Sequence, residues 1–212
     1  MDERISQIRK SYLSGELEEA NLENDPISMF ADWMNTAIEM GIEEPNGMAL
    51  ATASADAAPS VRIVLLRGFD QRGFVFYTNY ESAKGQDLLA NPRAAITFWW
   101  QPLERQVRVS GRVERVARAE AETYFGTRPR GHRLSAWASP QSREVKDRAE
   151  LQARAIEVES LFPGDVPLPD FWGGYRLAPE RIEFWQGREN RLPDRFEFQK
   201  RQGEWTVTRL AP

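Results

Sequence analysis

The stretch RIVLLRGFDQRGFVFYTNYESAKG, residues 62–85, indicates the fold class. Within it, two runs of β-branched and aromatic residues, 63–66 and 74–77, flank a short turn that contains glycine. Runs of this kind joined by such a turn predict a β-hairpin. Ser82 follows as the predicted N-cap of a short helix that carries Lys84 in its first turn.

Positive charges lie at both ends of this stretch. Arg62 and Arg67 bracket the first apolar run, and in a regular strand two residues five apart face opposite ways. Cations on a strand, a hydroxyl and a lysine at a helix N-terminus together suggest an anion site, most simply a phosphate site. A core hairpin with solvated ends is the alternative explanation for the same residues.

Composition limits the classes of function. The 212 residues suit one domain, the hydrophobic content of 41% permits a core, and the net charge of −4 implies no general affinity for nucleic acid. Without cysteine, and with His132 as the single histidine, neither a disulfide nor a multi-histidine metal site is expected, and we predict no metal. No stretch resembles a signal peptide or a membrane span, so a cytoplasmic protein is expected.

Short strands dominate the rest of the chain. Helices are predicted over 1–21, from Pro26 to Gly41, over 118–128 and over 143–161, the last with Val145, Ala149, Ala153, Ile156 and Leu161 facing inward, and 131–142 is predicted to be a loop. Further strands are predicted at 48–53, 94–100, 104–116, 172–177, 181–185, 195–200 and 204–210. Closely spaced strands with few helices between them favour an antiparallel barrel over a βαβ sheet.

Arginine placed among aromatic residues points to a ligand. Arg191 and Arg195 flank Pro193, and Trp185 lies just upstream. In an extended segment the even spacing places both arginines on one face. Two guanidinium groups near an indole suit a flat, anionic, aromatic ligand, through stacking and bidentate phosphate contacts. A pair of surface ion pairs would explain the two arginines equally well.

An ordered set of motifs covers the chain from about Ile8 to Pro212: RIVLLRG, RGFVFYTN, SAKG, NPRAAITFWW, LERQVRVSGRVER, TRPR, QS, VPLP, FWGGYRL, PERIEFWQG, NRL, DRF and a final RLAP. Together they resemble the pyridoxine (pyridoxamine) 5′-phosphate oxidase family. The resemblance implies a mainly β fold with flanking helices, a split β-barrel of Greek-key antiparallel type. It implies one FMN-binding domain over 1–212, in which an N-terminal helical segment, 1–42, and C-terminal strands, 172–212, complete the site.

The resemblance also implies the assembly and the activity. The family is a homodimer with two FMN molecules at the subunit interface. It oxidises pyridoxine or pyridoxamine 5′-phosphate to pyridoxal 5′-phosphate and passes the electrons to O₂, which gives hydrogen peroxide. Hydride transfer from the C4′ carbon of the substrate to FMN would leave the protein to supply orientation and electrostatics, consistent with the lack of an obvious nucleophile–base pair.

Matching the motifs residue by residue implies two sets of contacts. The FMN set is Arg62, Ile63, Val64, Leu65, Leu66, Arg67, Tyr77, Thr78, Lys84, Gln106, Gln141, Ser142, Trp185 and Arg195. The substrate set is Arg9, Tyr12, Arg67, Tyr124, Arg128, His132, Arg191 and Pro193. By resemblance, Arg67, Tyr124 and Arg128 meet the substrate phosphate. Arg191 is the catalytic residue over the ring, and Arg9 and Tyr12 close over it.

Four positions depart from the family pattern. The family usually has lysine at Arg67, a second cation at Ala83, serine at His132 and histidine at Pro193. Three of these departures fall on the substrate side, so FMN binding is expected while the substrate is less certain. The alternatives are an FMN-dependent oxidase of another aromatic metabolite, as in phenazine biosynthesis, and a non-catalytic FMN- or pyridoxal-phosphate-binding protein.

Overall fold

The structure is a computed structural model that describes Arg4, Gln7 and residues 11–212. Its strands are β1 (Gly47–Ala53), β2 (Pro59–Leu65), β3 (Gly68–Asp70), β4 (Gly73–Asn79), β5 (Arg93–Trp100), β6 (Arg105–Arg115), β7 (Trp172–Gln186), β8 (Asp194–Arg201) and β9 (Glu204–Arg209). The α-helices are α1 (Pro26–Glu39), α2 (Ala83–Ala90), α3 (Arg118–Thr127), α4 (Arg130–Ala138) and α5 (Arg148–Leu161).

The strands form one sheet in the order β2-β1-β5-β6-β7-β4-β3, and β8 pairs with both β7 and β9. β7 is antiparallel to β4, with Tyr175 opposite Phe76, and antiparallel to β8, with Phe184 opposite Phe196. The two predicted strands at 172–177 and 181–185 are therefore parts of one long strand. The predicted antiparallel, mainly β architecture is confirmed.

Residue contacts divide the chain into two compact units. The first comprises Met1–Ala49, Ala95–Ser110 and Pro179–Pro212, and aromatic rings such as Phe30, Trp33, Phe98 and Phe184 fill its core. The second comprises Leu50–Ala94 and Gly111–Ala178, and its buried residues include Phe76, Phe125, Trp172 and Tyr175. The single FMN-binding domain remains a prediction.

Several helix ends and one strand pattern agree with the local sequence signals that predicted them. The Asp25 carboxylate caps α1 by accepting hydrogen bonds from the Ile27 and Ser28 amides, and Gly41 ends the helix segment with a φ of 67°. In α2, the Ser82 hydroxyl accepts a hydrogen bond from the Gly85 amide. In β6, buried valines alternate with exposed Arg108 and Arg112, as the period of two predicts.

The predicted hairpin is only partly correct. The hairpin partner of β4 is the short strand β3, with Phe69 opposite Phe74, and the apolar run before it belongs to β2, which lies beside β1. Within that run Ile63 is 71% exposed, Val64 and Leu65 are half-buried, and Leu66, just after β2, is buried. Apolar composition alone did not show that β4 pairs with β3 rather than with the run at 63–66.

Two helix predictions and one loop prediction also change. Residues 131–142 are largely helical, because α4 begins directly after Pro129, although their small and polar composition indicated a loop. No residue of α5 is buried, so the predicted inward stripe is wrong. Residues 11–18 are not helical and Glu19–Asn21 forms one 3₁₀ turn, so the helix over 1–21 is wrong there. The remainder of that segment, apart from Arg4 and Gln7, lies outside the described residues.

Within the described part of the chain, no helix is both long and apolar enough to cross a membrane. The same residues contain no group of three or more histidine or carboxylate side chains that could hold a metal ion.

Candidate functional site

Lys84 lies buried in the first turn of α2, among neutral oxygen atoms. Its ammonium donates hydrogen bonds to Thr78 Oγ1 at 3.2 Å, Gln141 Oε1 at 3.0 Å and Ser82 Oγ at 3.4 Å. None of these partners carries a negative charge, and among the described residues no carboxylate joins them. Burial lowers the pKa of Lys84, and the nearby Arg62 charge lowers it further. A bound anion would neutralise this buried ammonium and stabilise its charged form.

Arg62 lies on β2 and is held by polar groups of the same unit. Its guanidinium donates to Thr52 Oγ1 at 2.6 Å and Ser60 Oγ at 2.7 Å, and Asp87 Oδ2 lies 3.7 Å away. Burial lowers the pKa of Arg62, and the Asp87 charge opposes that shift. Asp87 also accepts a hydrogen bond from Thr52 Oγ1 at 2.5 Å, so it fixes Arg62 both directly and through Thr52.

Lys84 and its polar neighbours form what we call the Lys84 cradle: Lys84, Thr78, Gln141, Ser82 and Arg62. Four of its members belong to the predicted FMN set, although Gln141 is 57 residues from Lys84 in the sequence. The backbone there is tight, because a Cβ on Gly85 would lie 2.1 Å from the Tyr80 carbonyl oxygen. Sequence reasoning missed Asp87 and Thr52, which no motif distinguishes from ordinary helix and strand residues.

An aromatic stack in the same unit joins the two predicted sets of contacts. The rings of Tyr77 and Tyr124 lie 3.8 Å apart with an interplanar angle of 12°, and Trp172 lies 5.6 Å from Tyr77. Tyr77 belongs to the predicted FMN set and Tyr124 to the predicted substrate set. Burial raises the pKa of Tyr77 to about 12, so its phenol stays neutral at physiological pH.

Arg128 provides a second basic position beside this stack. Its guanidinium carbon lies 4.7 Å from the centre of the Trp172 ring and 5.6 Å from that of Phe125. Its Nη1 atom is buried and makes no hydrogen bond with the described residues. Burial lowers the pKa of Arg128, and the charge of exposed Arg67 lowers it further. A buried guanidinium nitrogen without a hydrogen-bond partner can donate to a bound anion.

In the first unit, Trp185 and Arg195 each have defined partners. Trp185 makes edge contacts with Tyr12 at 5.7 Å and Trp99 at 6.0 Å. Arg195 donates from Nε to Glu183 Oε1 at 2.9 Å. Glu183 is buried and also pairs with Arg108. Burial alone would raise the pKa of Glu183, but hydrogen bonds from Arg195 and Arg108 hold that pKa below its ordinary value.

Tyr12 is positioned by backbone contacts of the residues that follow it. The amides of Leu13 and Ser14 donate to Glu104 Oε2 at 2.7 and 2.9 Å, and Glu104 is almost completely buried. Further along, the Leu17 amide donates to Asp194 Oδ2 at 3.0 Å. These two carboxylates, which sequence reasoning did not single out, tie the segment after Tyr12 to the rest of its unit.

Arg191 is exposed and lies in a 3₁₀ turn, Glu189–Arg191, rather than in an extended segment. Asn190 and Arg191 have φ values of 56° and 59°, which places both in the left-handed region. The prediction that Arg191 and Arg195 share one face of a strand is therefore wrong, because β8 begins only at Asp194. Arg188 steadies the turn through an ion pair of 3.0 Å with Asp194.

The remaining predicted residues differ in their exposure. Ile63 is exposed, Val64 and Leu65 are half-buried and Leu66 is buried. Gln106 on β6 and Pro193 before β8 are half-buried, whereas His132 on α4 and Ser142, which has a φ of 68°, are exposed. Arg9 lies outside the described residues. Whether any of these residues contacts a ligand remains a prediction.

Two family models match this chain. One, described as pyridoxamine 5′-phosphate oxidase, covers residues 34–162. The other, described as the pyridoxine 5′-phosphate oxidase C-terminal dimerisation region, covers residues 172–212. Proteins named pyridoxine/pyridoxamine 5′-phosphate oxidase are 52% identical in Pseudomonas paraeruginosa, over all of both chains, and 53% identical in Cupriavidus necator, over 99% of each.

Two solved structures are similar to this one. PhzG from Burkholderia lata 383, in complex with tetrahydrophenazine-1-carboxylic acid, has a TM-score of 0.87 and 31% identity over 92% of this chain and 98% of its own. A pyridoxamine 5′-phosphate oxidase-related, FMN-binding protein from Nostoc punctiforme has a TM-score of 0.72 and 18% identity over 90% of this chain and all of its own. The second likeness shows the fold, and the predicted split β-barrel class is confirmed.

Proposed function

Because this chain belongs to the pyridoxamine 5′-phosphate oxidase family, we propose that it is an FMN-dependent oxidase of pyridoxine 5′-phosphate and pyridoxamine 5′-phosphate. The names of its relatives support an oxidoreductase, and the match to a dimerisation region supports a homodimer. The products in this proposal are pyridoxal 5′-phosphate and hydrogen peroxide, with O₂ as the electron acceptor. FMN at the subunit interface is part of the same proposal.

One observation carries the proposal: the second unit holds buried Lys84 and half-buried Arg128, whose Nη1 atom is buried, and neither cation has a carboxylate partner among the described residues. In the sequence, Tyr77 precedes Thr78 of the Lys84 cradle and Tyr124 lies four residues before Arg128, and the two tyrosine rings stack. Burying an unpaired cation is costly unless an anion neutralises it. The proposed reaction needs two bound phosphates, one from FMN and one from the substrate.

The Lys84 cradle fits the FMN phosphate. Arg62 and Lys84 supply positive charge, and Thr78 and Gln141 add a hydroxyl and an amide that reorient readily toward an anion. FMN, when bound, supplies the redox chemistry, because it accepts a hydride from the substrate and passes the electrons to O₂. In the same proposal Gln106, Ser142, Trp185 and Arg195 also contact FMN.

The substrate phosphate fits Arg128, together with Tyr124 and Arg67. Arg128 keeps a buried nitrogen free to donate, and Arg67 brings a second charge close enough to lower the Arg128 pKa. Arg191 is proposed to lie over the substrate ring, hold it in a reactive orientation and stabilise charge that develops during hydride transfer. Tyr12 and Arg9 are proposed to close over the ring and exclude water.

The structure of PhzG gives one alternative a specific basis. That protein is 31% identical to this chain and was solved with tetrahydrophenazine-1-carboxylic acid. Three departures from the family pattern, Arg67, His132 and Pro193, lie in the predicted substrate set. The alternative is therefore an FMN-dependent oxidase of a phenazine-type aromatic acid. Identity of 52–53% over the whole chain to proteins named as vitamin-phosphate oxidases favours the main proposal.

An aerobic assay of the purified, FMN-loaded protein separates these proposals. Pyridoxine 5′-phosphate, pyridoxamine 5′-phosphate, unphosphorylated pyridoxine and a reduced phenazine carboxylic acid are supplied in turn, and peroxide and aldehyde are measured. We expect one peroxide per pyridoxal 5′-phosphate with both phosphorylated vitamers. Peroxide from the phenazine acid alone would favour the alternative, and peroxide from none of them would favour a binding protein.

Ala83→Arg is expected to tighten FMN binding. Ala83 is exposed at the first position of α2, beside Lys84, so a guanidinium there would add the second cation that the family usually has. An exposed charge contact of this kind should lower the dissociation constant about threefold to tenfold. The measurement is quenching of FMN fluorescence on titration. Ala90→Arg, which adds the same charge at the other end of α2, should bind FMN as the unmodified chain does; equal tightening by both variants would contradict a local contact.

Raising the pH is expected to weaken FMN binding before an ordinary lysine would lose its proton. Burial and the Arg62 charge lower the pKa of Lys84, so its positive charge disappears earlier as the pH rises. Lys84→Arg keeps the charge at alkaline pH and should flatten this dependence. FMN titrations of both proteins from neutral to alkaline pH test this. The same pH profile in both would show that another group controls the affinity.

A further inference from the structure

Trp172 is the common neighbour of the residues proposed to bind the substrate phosphate. It is the first residue of β7, lies opposite Asn79 of β4 and is 7% exposed. Its ring lies beside the Arg128 guanidinium and is parallel to the Tyr124 ring, with an interplanar angle of 2° and a centroid distance of 6.2 Å. The motif resemblance assigned no role to this residue.

Arg128 needs such a neighbour because the chain leaves α3 at this residue. Arg128 is the C-cap of α3 and has extended backbone angles, so the helix does not orient its side chain. A carboxylate could hold the guanidinium, but it would occupy the N–H groups that a phosphate needs. An indole attracts the cation through its ring face and leaves those donors available. The buried Nη1 without a hydrogen-bond partner fits this arrangement.

We infer that Trp172 is the positioning residue of the substrate-phosphate site, and that its indole holds Arg128 and Tyr124 in place for a phosphorylated substrate. This inference rests on the proposed function. Trp172 touches neither the reacting atoms nor the phosphate in this account and acts through Arg128 and Tyr124. Its loss should therefore raise KM for the phosphorylated vitamers far more than it lowers kcat.

The test compares Trp172→Phe and Trp172→Met as FMN-loaded proteins. Phenylalanine keeps a weaker aromatic face and methionine keeps only apolar volume, so KM for pyridoxine 5′-phosphate should rise about threefold in the first and about tenfold or more in the second. The kcat should stay within about threefold of the unmodified value. In an Arg128→Met background, Trp172→Phe should change KM no further.

Trp137→Phe is the matched control. Trp137 packs against the same apolar cluster as Trp172, and its Nε1 donates to the Pro167 carbonyl. Its ring contacts within the described part of the chain are with Phe162 and Phe171, not with Arg128 or Tyr124. It should lower thermal stability without raising KM. An unchanged KM in Trp172→Phe, or equal KM increases in Trp172→Phe and Trp137→Phe, would overturn the inference. Trp172→Phe alone decides the matter if Trp172→Met does not fold.

Failure of the inference and failure of the proposed function are distinguishable. The turnover of the unmodified protein with phosphorylated vitamers decides the function. Equilibrium binding of pyridoxal 5′-phosphate, followed by absorbance, measures the phosphate site without turnover. Weaker binding of pyridoxal 5′-phosphate to Trp172→Phe than to the unmodified protein and to Trp137→Phe would support the inference, even if the protein oxidised no vitamer. Equal binding to all three proteins would contradict it.

Discussion

Arg191→Ala should lower kcat with pyridoxine 5′-phosphate by about 10²- to 10³-fold, the range found when one preorganised electrostatic contact to a transition state is removed. FMN should remain bound, because the Lys84 cradle does not include this residue. The side chain is exposed, so the substitution removes no buried contact, and the fold should persist. The decisive quantity is kcat, measured by peroxide release with the flavin content checked by absorbance.

The backbone at Arg191 has a conformation that is uncommon for this residue type. Two consecutive residues, Asn190 and Arg191, are in the left-handed region, a conformation that costs residues other than glycine of order 1 kcal/mol or more. Such conformations persist where surrounding contacts enforce them, and the Arg188–Asp194 ion pair is such a contact. The turn is therefore held by a contact between residues on either side of Arg191, and the exposed Arg191 side chain is left available for the proposed contact with the substrate ring.

Arg201→Ala is the control for Arg191→Ala. Arg201 is another exposed arginine of the same unit, and its guanidinium donates to the Gln199 side chain. Its loss should leave kcat unchanged, whereas Arg191→Lys should recover only part of the activity because the ammonium lacks the planar guanidinium face. A kcat for Arg191→Ala close to that of Arg201→Ala would remove Arg191 from the mechanism.

Arg128→Met should lower kcat/KM for the phosphorylated vitamers by about 10²- to 10³-fold, the effect of removing charge-assisted hydrogen bonds to a phosphate. The oxidation of unphosphorylated pyridoxine, which we expect to be slow in the unmodified protein, should change little, so the preference for phosphorylated substrates should collapse. Thermal stability in the absence of ligands should not fall, because the substitution removes a half-buried charge with one buried, unsatisfied nitrogen. Steady-state kinetics with pyridoxine and its phosphate measure both effects.

The neighbouring Arg130→Met distinguishes phosphate binding from structure. Arg130 donates hydrogen bonds to the backbone carbonyls of Phe162 and Gly164, so it supports the loop before β7. Its loss should lower thermal stability and leave the preference for phosphorylated substrates intact. If Arg130→Met abolished that preference as fully as Arg128→Met, the preference would depend on the fold of this region rather than on a phosphate contact.

Sequence patterns predicted the elements whose signals are local. The Asp25–Pro26 helix start, the Ser82 cap and the alternation in β6 all follow from side-chain spacing and capping chemistry, and the structure has each of them. Strand pairing was harder to predict from the sequence. The apolar run at 63–66 reads as a hairpin arm, but its strand neighbours β1, because pairing depends on the whole sheet rather than on the nearest turn.

The same contrast between local and long-range signals applies to the candidate site. Motifs brought Thr78, Lys84 and Gln141 into one predicted set, and the structure places their side chains within hydrogen-bond distance of one another. The partners that orient the predicted residues, such as Asp87, Glu183 and Trp172, could not be predicted, because their importance lies in tertiary contacts with distant parts of the chain. The turn at Arg191 was missed because a left-handed arginine carries no sequence signal, and the preceding asparagine carries a weaker one than glycine would.

Anaerobic mixing of the FMN-loaded protein with pyridoxine 5′-phosphate tests the proposed hydride transfer from substrate to flavin. The absorbance of oxidised flavin is followed in the absence of O₂, so that only hydride transfer from the substrate can bleach it. We expect rapid bleaching by the phosphorylated vitamers, little by unphosphorylated pyridoxine, and recovery of the colour with release of peroxide when O₂ is admitted. A flavin that stays fully oxidised with both phosphorylated vitamers would contradict the proposed function.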